Sequence, residues 1–160
     1  RICDLLSDIL SNGRSSRFFR NIYANGSLVS SIDAAITGDL DSGMLQIKAQ
    51  LLPGVSYKAV EDAIDVELSK LMEGDVSAYE IEKNVNRFES NFLFSNLNND
   101  DRASNLAYYE MLGDADAINA VTAEYGKATP ERVTAVSRNL FRPENCSVLY
   151  YESQNQKDKI

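Results

Sequence analysis

Acidic side chains are the residues of this sequence with the clearest capacity for chemistry. Asp62 and Asp65 lie three residues apart, a spacing that places both on one face of a helix, and Glu61 and Glu67 flank them. Such carboxylates could ligate a hard cation such as Ca²⁺. Because no calcium-loop spacing surrounds them, a solvated helix face is the favoured interpretation.

The sequence contains no histidine, which restricts the chemistry further. Imidazole is the commonest catalytic base and metal ligand near neutral pH, so its absence excludes Ser-His-Asp and Cys-His triads and every histidine-based zinc site. The two cysteines, Cys3 and Cys146, are far apart and are interpreted as buried free thiols in a reducing compartment. We therefore predict no catalytic residue and no metal ligand in this chain.

Residues 12–17 combine one glycine, two serines and two arginines ahead of a predicted helix, as a phosphate-binding loop can. The segment lacks the P-loop spacing and follows no strand, so a turn between helices is favoured. The pairs Tyr108-Tyr109 and Tyr150-Tyr151 could stack on a ligand, but core packing with an exposed tyrosine tip explains them more simply.

Composition narrows the possible partners. The 160 residues suit one domain, and the net charge of −8 argues against nucleic acid, because an acidic surface repels phosphate backbones. No apolar run approaches the ~20 residues of a membrane span. The absence of a visible signal segment and of disulfide spacing predicts a cytoplasmic location.

Hydrophobic periodicity predicts an α+β fold in which several helices cover a small antiparallel sheet. Leu45, Ile47, Ala49 and Leu51 alternate with polar residues and should face the helices. The predicted elements are helices at 2–11, after Ser15 or Ser16, near 56–73, from Ser77, after 98–101, at 115–124 and from Thr129, and strands at 28–37, 44–51 and 146–151, the first two joined by a turn at 38–43. The last strand should pair with the hairpin in a three- or four-stranded sheet. The domain should span 1–152, with a polar, disordered tail at 153–160.

A series of weak motifs, in order along the chain, resembles the C-terminal half of insulinase-like (pitrilysin family) zinc peptidases, including the mitochondrial processing peptidases. The segment 8–19 is similar to the LL-x-x-G-x-x-SRL entry to that half. The other matching segments are Leu52-Pro53-Gly54, 60–71, 76–83, 111–114, 128–133 and 140–148.

The resemblance implies a function that is shared between two related halves. In this family an N-terminal half carries the H-x-x-E-H zinc motif, whose glutamate activates zinc-bound water. The C-terminal half shapes the peptide chamber and, in a partner subunit, offers an Arg and a Tyr seven residues apart. Aligned on residues 16–19, those positions are Tyr23 and Ser30, so both depart from the pattern. They are the candidate chamber positions.

The resemblance therefore implies a non-catalytic structural and chamber-forming half of a zinc metalloendopeptidase subunit, with zinc in the N-terminal half. Its expected partners are that half, a second homologous subunit and a peptide substrate. Two alternatives remain open. The chain could be half of a non-proteolytic scaffold homologue, or a free-standing protein-interaction module.

Overall fold

The fold is a two-stranded hairpin packed against a set of helices. The computed structural model describes residues 2–38 and 43–153. Its elements are α1 (Ile2–Ser11), a π-helical turn (Phe19–Tyr23), β1 (Val29–Ile36), β2 (Leu45–Leu51), α2 (Tyr57–Glu73), α3 (Ala78–Ser95), α4 (Asn99–Met111), a 3₁₀ turn (Ala115–Ala120), α5 (Val121–Gly126), α6 (Pro130–Leu140) and a second 3₁₀ turn (Pro143–Asn145). The α+β prediction is confirmed.

The core is centred on α1. Leu5, Leu6, Ile9 and Leu10 are almost completely buried, because their spacing gathers them on one stripe of the helix. That helix packs against β1 and also against α3 and α6, while α2 packs against α6 and β2. One apolar helix thus joins the sheet to the helical layer.

Local capping residues set where the helices begin. Ser56, Ser77, Asn98 and Thr129 each accept a hydrogen bond from a backbone N–H in the first turn of the helix that follows. Ser77 and Glu80 have the spacing of a reciprocal cap, but only Ser77 caps the helix, because the Glu80 carboxylate binds an arginine instead. The predicted starts of α1, α2, α3 and α6 are confirmed, whereas α4 begins at Asn99 and the helix predicted at 115–124 is a 3₁₀ turn followed by α5.

The hairpin has the predicted antiparallel pairing, but a bulge shifts the register of the two strands near the start of β1. The inward set Leu45, Ile47, Ala49 and Leu51 packs against the core, which confirms the prediction for β2. In β1 a bulge between Val29 and Ser31 turns Val29 inward and leaves Ser30 exposed. Regular alternation of inward and outward side chains therefore begins in β1 only after the bulge. Residues 39–42, which form most of the predicted turn at 38–43, lie outside the described residues.

The predicted final strand at 146–151 is wrong, since the sheet in the described part of the chain contains β1 and β2 alone. Leu149 and Tyr151 are each 90% exposed, so the segment lacks the burial that would hold a third strand. It lies instead along α2, where the Tyr150 ring packs on Tyr57 and the Tyr150 hydroxyl donates to Glu61. Except for Ser153, the predicted disordered tail lies outside the described residues.

The tyrosine pairs have different outcomes. Tyr109 is buried and Tyr108 is partly exposed, which agrees with the interpretation of this pair as core packing with an exposed tyrosine tip. Both members of the Tyr150-Tyr151 pair are exposed, so the core-packing interpretation fails there. The cause is the missing strand, which would have turned one of them inward.

Candidate functional site

The π-helical turn presents the first candidate position, Tyr23. Phe18 and Ile22 are buried and anchor the turn in the core, while Tyr23 remains 40% exposed. The Tyr23 ring packs on the Phe19 ring, with centroids 5.1 Å apart. The N–H of Ala24 donates to the Phe19 carbonyl over 2.8 Å, five residues back. Such widened turns occur frequently at functional sites.

The bulge in β1 presents the second candidate position, Ser30. Val29 pairs with Leu51 and Ser31 with Gln50, so Ser30 is the extra residue. Its side chain is exposed, and its hydroxyl donates to the Gln50 carbonyl over 3.3 Å. Bulges often re-aim side chains beside active sites, and they are common at sheet edges.

The two positions lie in elements that contact each other, since the π-helical turn packs against β1. Tyr23 brings no cation to this surface, and the Ser30 hydroxyl already donates to a backbone carbonyl. Their role in a substrate chamber stays a prediction.

A buried arginine holds the turn between α1 and the π-helical turn. Arg17 is 5% exposed, and its guanidinium binds the Glu80 carboxylate through two hydrogen bonds of 3.0 and 2.7 Å. It also donates to the Asp75 carbonyl over 2.5 Å. The segment 12–17 is thus a structural turn, as predicted. The interior role of Arg17 was not predicted, because its partners are about sixty residues away.

The acidic residues of α2 do not form one site. Asp62 is exposed and pairs with Lys58 over 2.9 Å, whereas the Glu67 side chain is buried and pairs with Lys70 over 2.7 Å. Residues on opposite sides of a helix cannot share a cation. Within residues 2–38 and 43–153, no group of three or more carboxylate, thiol or imidazole side chains is placed to hold a metal ion.

A polar groove of about 400 Å³ runs between α1 and β1, lined by Asp4, Asp8 and Asp33 among others. Burial raises the pKa of the Asp8 carboxyl above its usual range, against the opposing effects of the Asn12 amide and Arg87. The Asn12 amide donates to Asp8 over 2.8 Å. These contacts explain the groove as local structure around the end of α1.

The chain does not supply a zinc site that fits the chemistry of these peptidases. It contains no histidine, and Cys3 and Cys146 are both free thiols. Cys3 is half-buried and Cys146 is exposed, so the predicted burial of both thiols is wrong. A catalytic zinc needs three protein ligands and an open position.

None of the helices in the described ranges has the length and apolar character of a membrane span. The fold is that of an α+β domain.

Comparisons with known proteins place this domain in a family. The family model described as "Peptidase M16 inactive domain" matches residues 2–88, more than half of the chain. The chain belongs to the M16 peptidase family, as its inactive domain. No curated protein matches it.

Solved structures share the fold. A protease from Helicobacter pylori aligns with a TM-score of 0.81 and 20% identity over 88% of this chain, which spans 34% of that protein. The inactive peptidase domain of a candidate zinc protease from Bordetella parapertussis aligns at 0.79 and 19% identity, over 90% of this chain and 78% of that one. A candidate zinc protease from Bordetella pertussis aligns at 0.77 and 19% identity, over 90% and 79%. The predicted membership of an insulinase-like family is confirmed.

Proposed function

We propose that this chain is the non-catalytic half of a zinc metalloendopeptidase subunit and forms part of the wall of its substrate chamber. The observation that carries the proposal is the combination of an M16 inactive-domain fold with a sequence that contains no histidine. Such a domain can shape a chamber and orient a peptide, while the catalytic water must be activated elsewhere.

The zinc belongs, in this proposal, to an N-terminal half that carries the H-x-x-E-H motif. There the metal would lower the pKa of its bound water and polarise the scissile carbonyl. The present chain contributes packing surface and peptide contacts. The free thiols Cys3 and Cys146 fit a reducing compartment, so the proposal includes a cytoplasmic location.

The chamber wall is proposed to include the surface around Tyr23 and Ser30. Two local irregularities, a π-helical turn and a β-bulge, hold these side chains outward on elements that contact each other. Because Tyr23 stands where the family pattern has Arg and Ser30 stands where it has Tyr, a second homologous subunit would supply the Arg and the Tyr.

A second candidate function is a non-proteolytic scaffold. The substitution of both patterned residues, by Tyr23 and Ser30, is the observation that favours it. A scaffold subunit would need neither residue and would also lack a working zinc motif in its other half.

A cleavage assay on the native full-length subunit and its partner separates the two functions. The protein is prepared with and without residues 2–152 and incubated with a fluorogenic peptide library. We expect chelator-sensitive cleavage that requires the domain. A full-length subunit that binds no zinc would favour the scaffold, and undiminished cleavage without residues 2–152 would contradict the proposed role.

A further inference from the structure

Four basic side chains lie side by side on this acidic domain. Arg14 and Arg20 are exposed on the turn and the π-helical segment, and Lys83 and Arg87 project from α3. We call the surface formed by these four residues the basic patch. It is notable because the whole chain carries 24 acidic and 16 basic residues.

Direct contacts hold the basic patch together. The Lys83 ammonium donates to the Ser15 hydroxyl over 3.1 Å, and the Arg87 guanidinium donates to the Asn12 carbonyl. Arg14 lies over the Phe19 ring, 5.9 Å from its centroid. The patch therefore has a defined shape rather than being a set of unrelated side chains.

The positive charge of the patch is not balanced internally. The two carboxylates that interact with the patch already have other partners. Glu80, which interacts with Lys83, is bound by the buried Arg17, and Asp8, which interacts with Arg87, accepts a hydrogen bond from Asn12. Among residues 2–38 and 43–153, Arg14, Arg20 and Arg87 form no ion pair. Burial lowers the pKa of Lys83, the Glu80 carboxylate opposes that effect, and the charges of Arg20 and Arg87 add to it. Uncompensated like charges of this kind attract an anionic ligand.

The patch is continuous with the candidate chamber surface. Arg14 covers one side of Phe19, and Tyr23 packs against the same ring. Arg20 lies three residues before Tyr23 in the same π-helical turn. A peptide lying across Tyr23 would thus have its neighbouring side chains within reach of the cations.

We infer that the basic patch binds the acidic side chains of a peptide that extends across Tyr23, and so gives the subunit a preference for Glu- and Asp-containing substrates. This inference rests on the proposed function. Carboxylates fit because guanidinium groups bind them through paired hydrogen bonds. The π-helical turn that follows residues 12–17 is only five residues long. The patch therefore offers separate side-chain cations and not the backbone N–H groups of a phosphate-binding helix N-terminus.

The test measures binding of labelled peptides to the purified 160-residue chain by fluorescence anisotropy. One peptide carries a run of glutamates and its match carries glutamines. We expect binding of the glutamate peptide alone, weakened by added salt because exposed charges are screened. The double variant Arg14→Gln with Arg20→Gln should bind about tenfold more weakly.

A charge-matched control removes two cations elsewhere. Lys58→Gln with Lys127→Gln loses the same charge from exposed residues that pair with Asp62 and Glu124. We expect less than about a twofold change, because long-range attraction alone contributes little at physiological salt. Equal weakening by both double variants would overturn the inference, as would equal binding of the two peptides.

A further binding measurement tests whether the patch prefers acidic peptides to other anions. A single-stranded DNA oligomer of the same charge should bind more weakly than the glutamate peptide, and equal or tighter DNA binding would overturn the assignment. A failure of the proposed function can be told apart from a failure of the basic-patch inference. A full-length subunit without zinc-dependent cleavage would contradict that function, while charge-selective peptide binding by this chain would still support the patch.

Discussion

Arg17 buries a guanidinium between the turn that follows α1 and the first turn of α3, where it binds Glu80 and the Asp75 carbonyl. Arg17→Ala would leave a mostly buried carboxylate and a carbonyl without their donor. We expect a loss of about 3 kcal/mol in the free energy of unfolding, measured by urea denaturation.

The control for this prediction is an exposed ion pair. Lys58 is 81% exposed and pairs with Asp62 one turn away. Lys58→Ala should leave the urea midpoint nearly unchanged, because an exposed pair contributes little to stability. Similar losses for both variants would show that the burial of Arg17 contributes nothing beyond a surface pair.

Asp8 gives a prediction with a defined pH dependence. Because burial raises its folded pKa above the ordinary 3.8, the folded state binds the proton more tightly than the unfolded state. The Asp8 side chain therefore favours folding below the unfolded pKa, and that benefit is lost as the pH rises through the folded pKa. Asp8→Asn should melt at a higher temperature than the wild type near about pH 7. The difference should shrink on acidification, and a difference that grew in acid would contradict the sign.

At the scale of elements, the helices and the hairpin follow from local patterns in the sequence. Capping serines such as Ser56 and Ser77, and Pro130 at a helix start, act on backbone groups within a few residues. Features that depend on distant residues were not predictable. The bulge at Ser30 depends on how β1 meets β2, and the 146–151 segment shows that a strand-like composition does not supply a partner strand.

The inward face of β2 provides the test at this scale. Ile47 pairs with Ala34 and packs against the core, so Ile47→Asp would bury an unpaired carboxylate. We expect a loss of about 2–4 kcal/mol, observed as partial or complete unfolding by circular dichroism.

Gln50→Asp is the matched control for Ile47→Asp. Gln50 is exposed on the opposite face of the same strand, so the new charge remains in water. The melting temperature of Gln50→Asp should stay within a few degrees of the wild type. If Gln50→Asp unfolded the domain and Ile47→Asp did not, the inward and outward faces of β2 would be assigned the wrong way round.

At the scale of the whole molecule, the candidate site was only partly predictable. The absence of histidine and the motif order indicated a non-catalytic half, and Tyr23 and Ser30 are both placed on exposed surface. The basic patch was not predicted, because Arg14 and Arg20 meet Lys83 and Arg87 only through the packing of α3 beside the turn.

Tyr23 and Ser30 test how much chemistry this half contributes. A patterned Arg and Tyr would donate hydrogen bonds worth about 3 kcal/mol to the transition state. Since Tyr23 has no cation and Ser30 is too short, Tyr23→Ala or Ser30→Ala should leave cleavage by the reconstituted full-length complex within about a few-fold. A loss of about a hundredfold in kcat without unfolding would mean that these side chains act on the substrate.

The central claim is that this domain shapes a chamber and that zinc chemistry resides in another half. The most direct measurement determines zinc content and peptide cleavage for the purified chain alone and for the chain mixed with its zinc-binding half and the partner subunit. The account predicts substoichiometric zinc and no cleavage for the chain alone, with zinc-dependent cleavage once the other half and the partner are added. A tight, stoichiometric zinc site with peptidase activity in the isolated chain would contradict it.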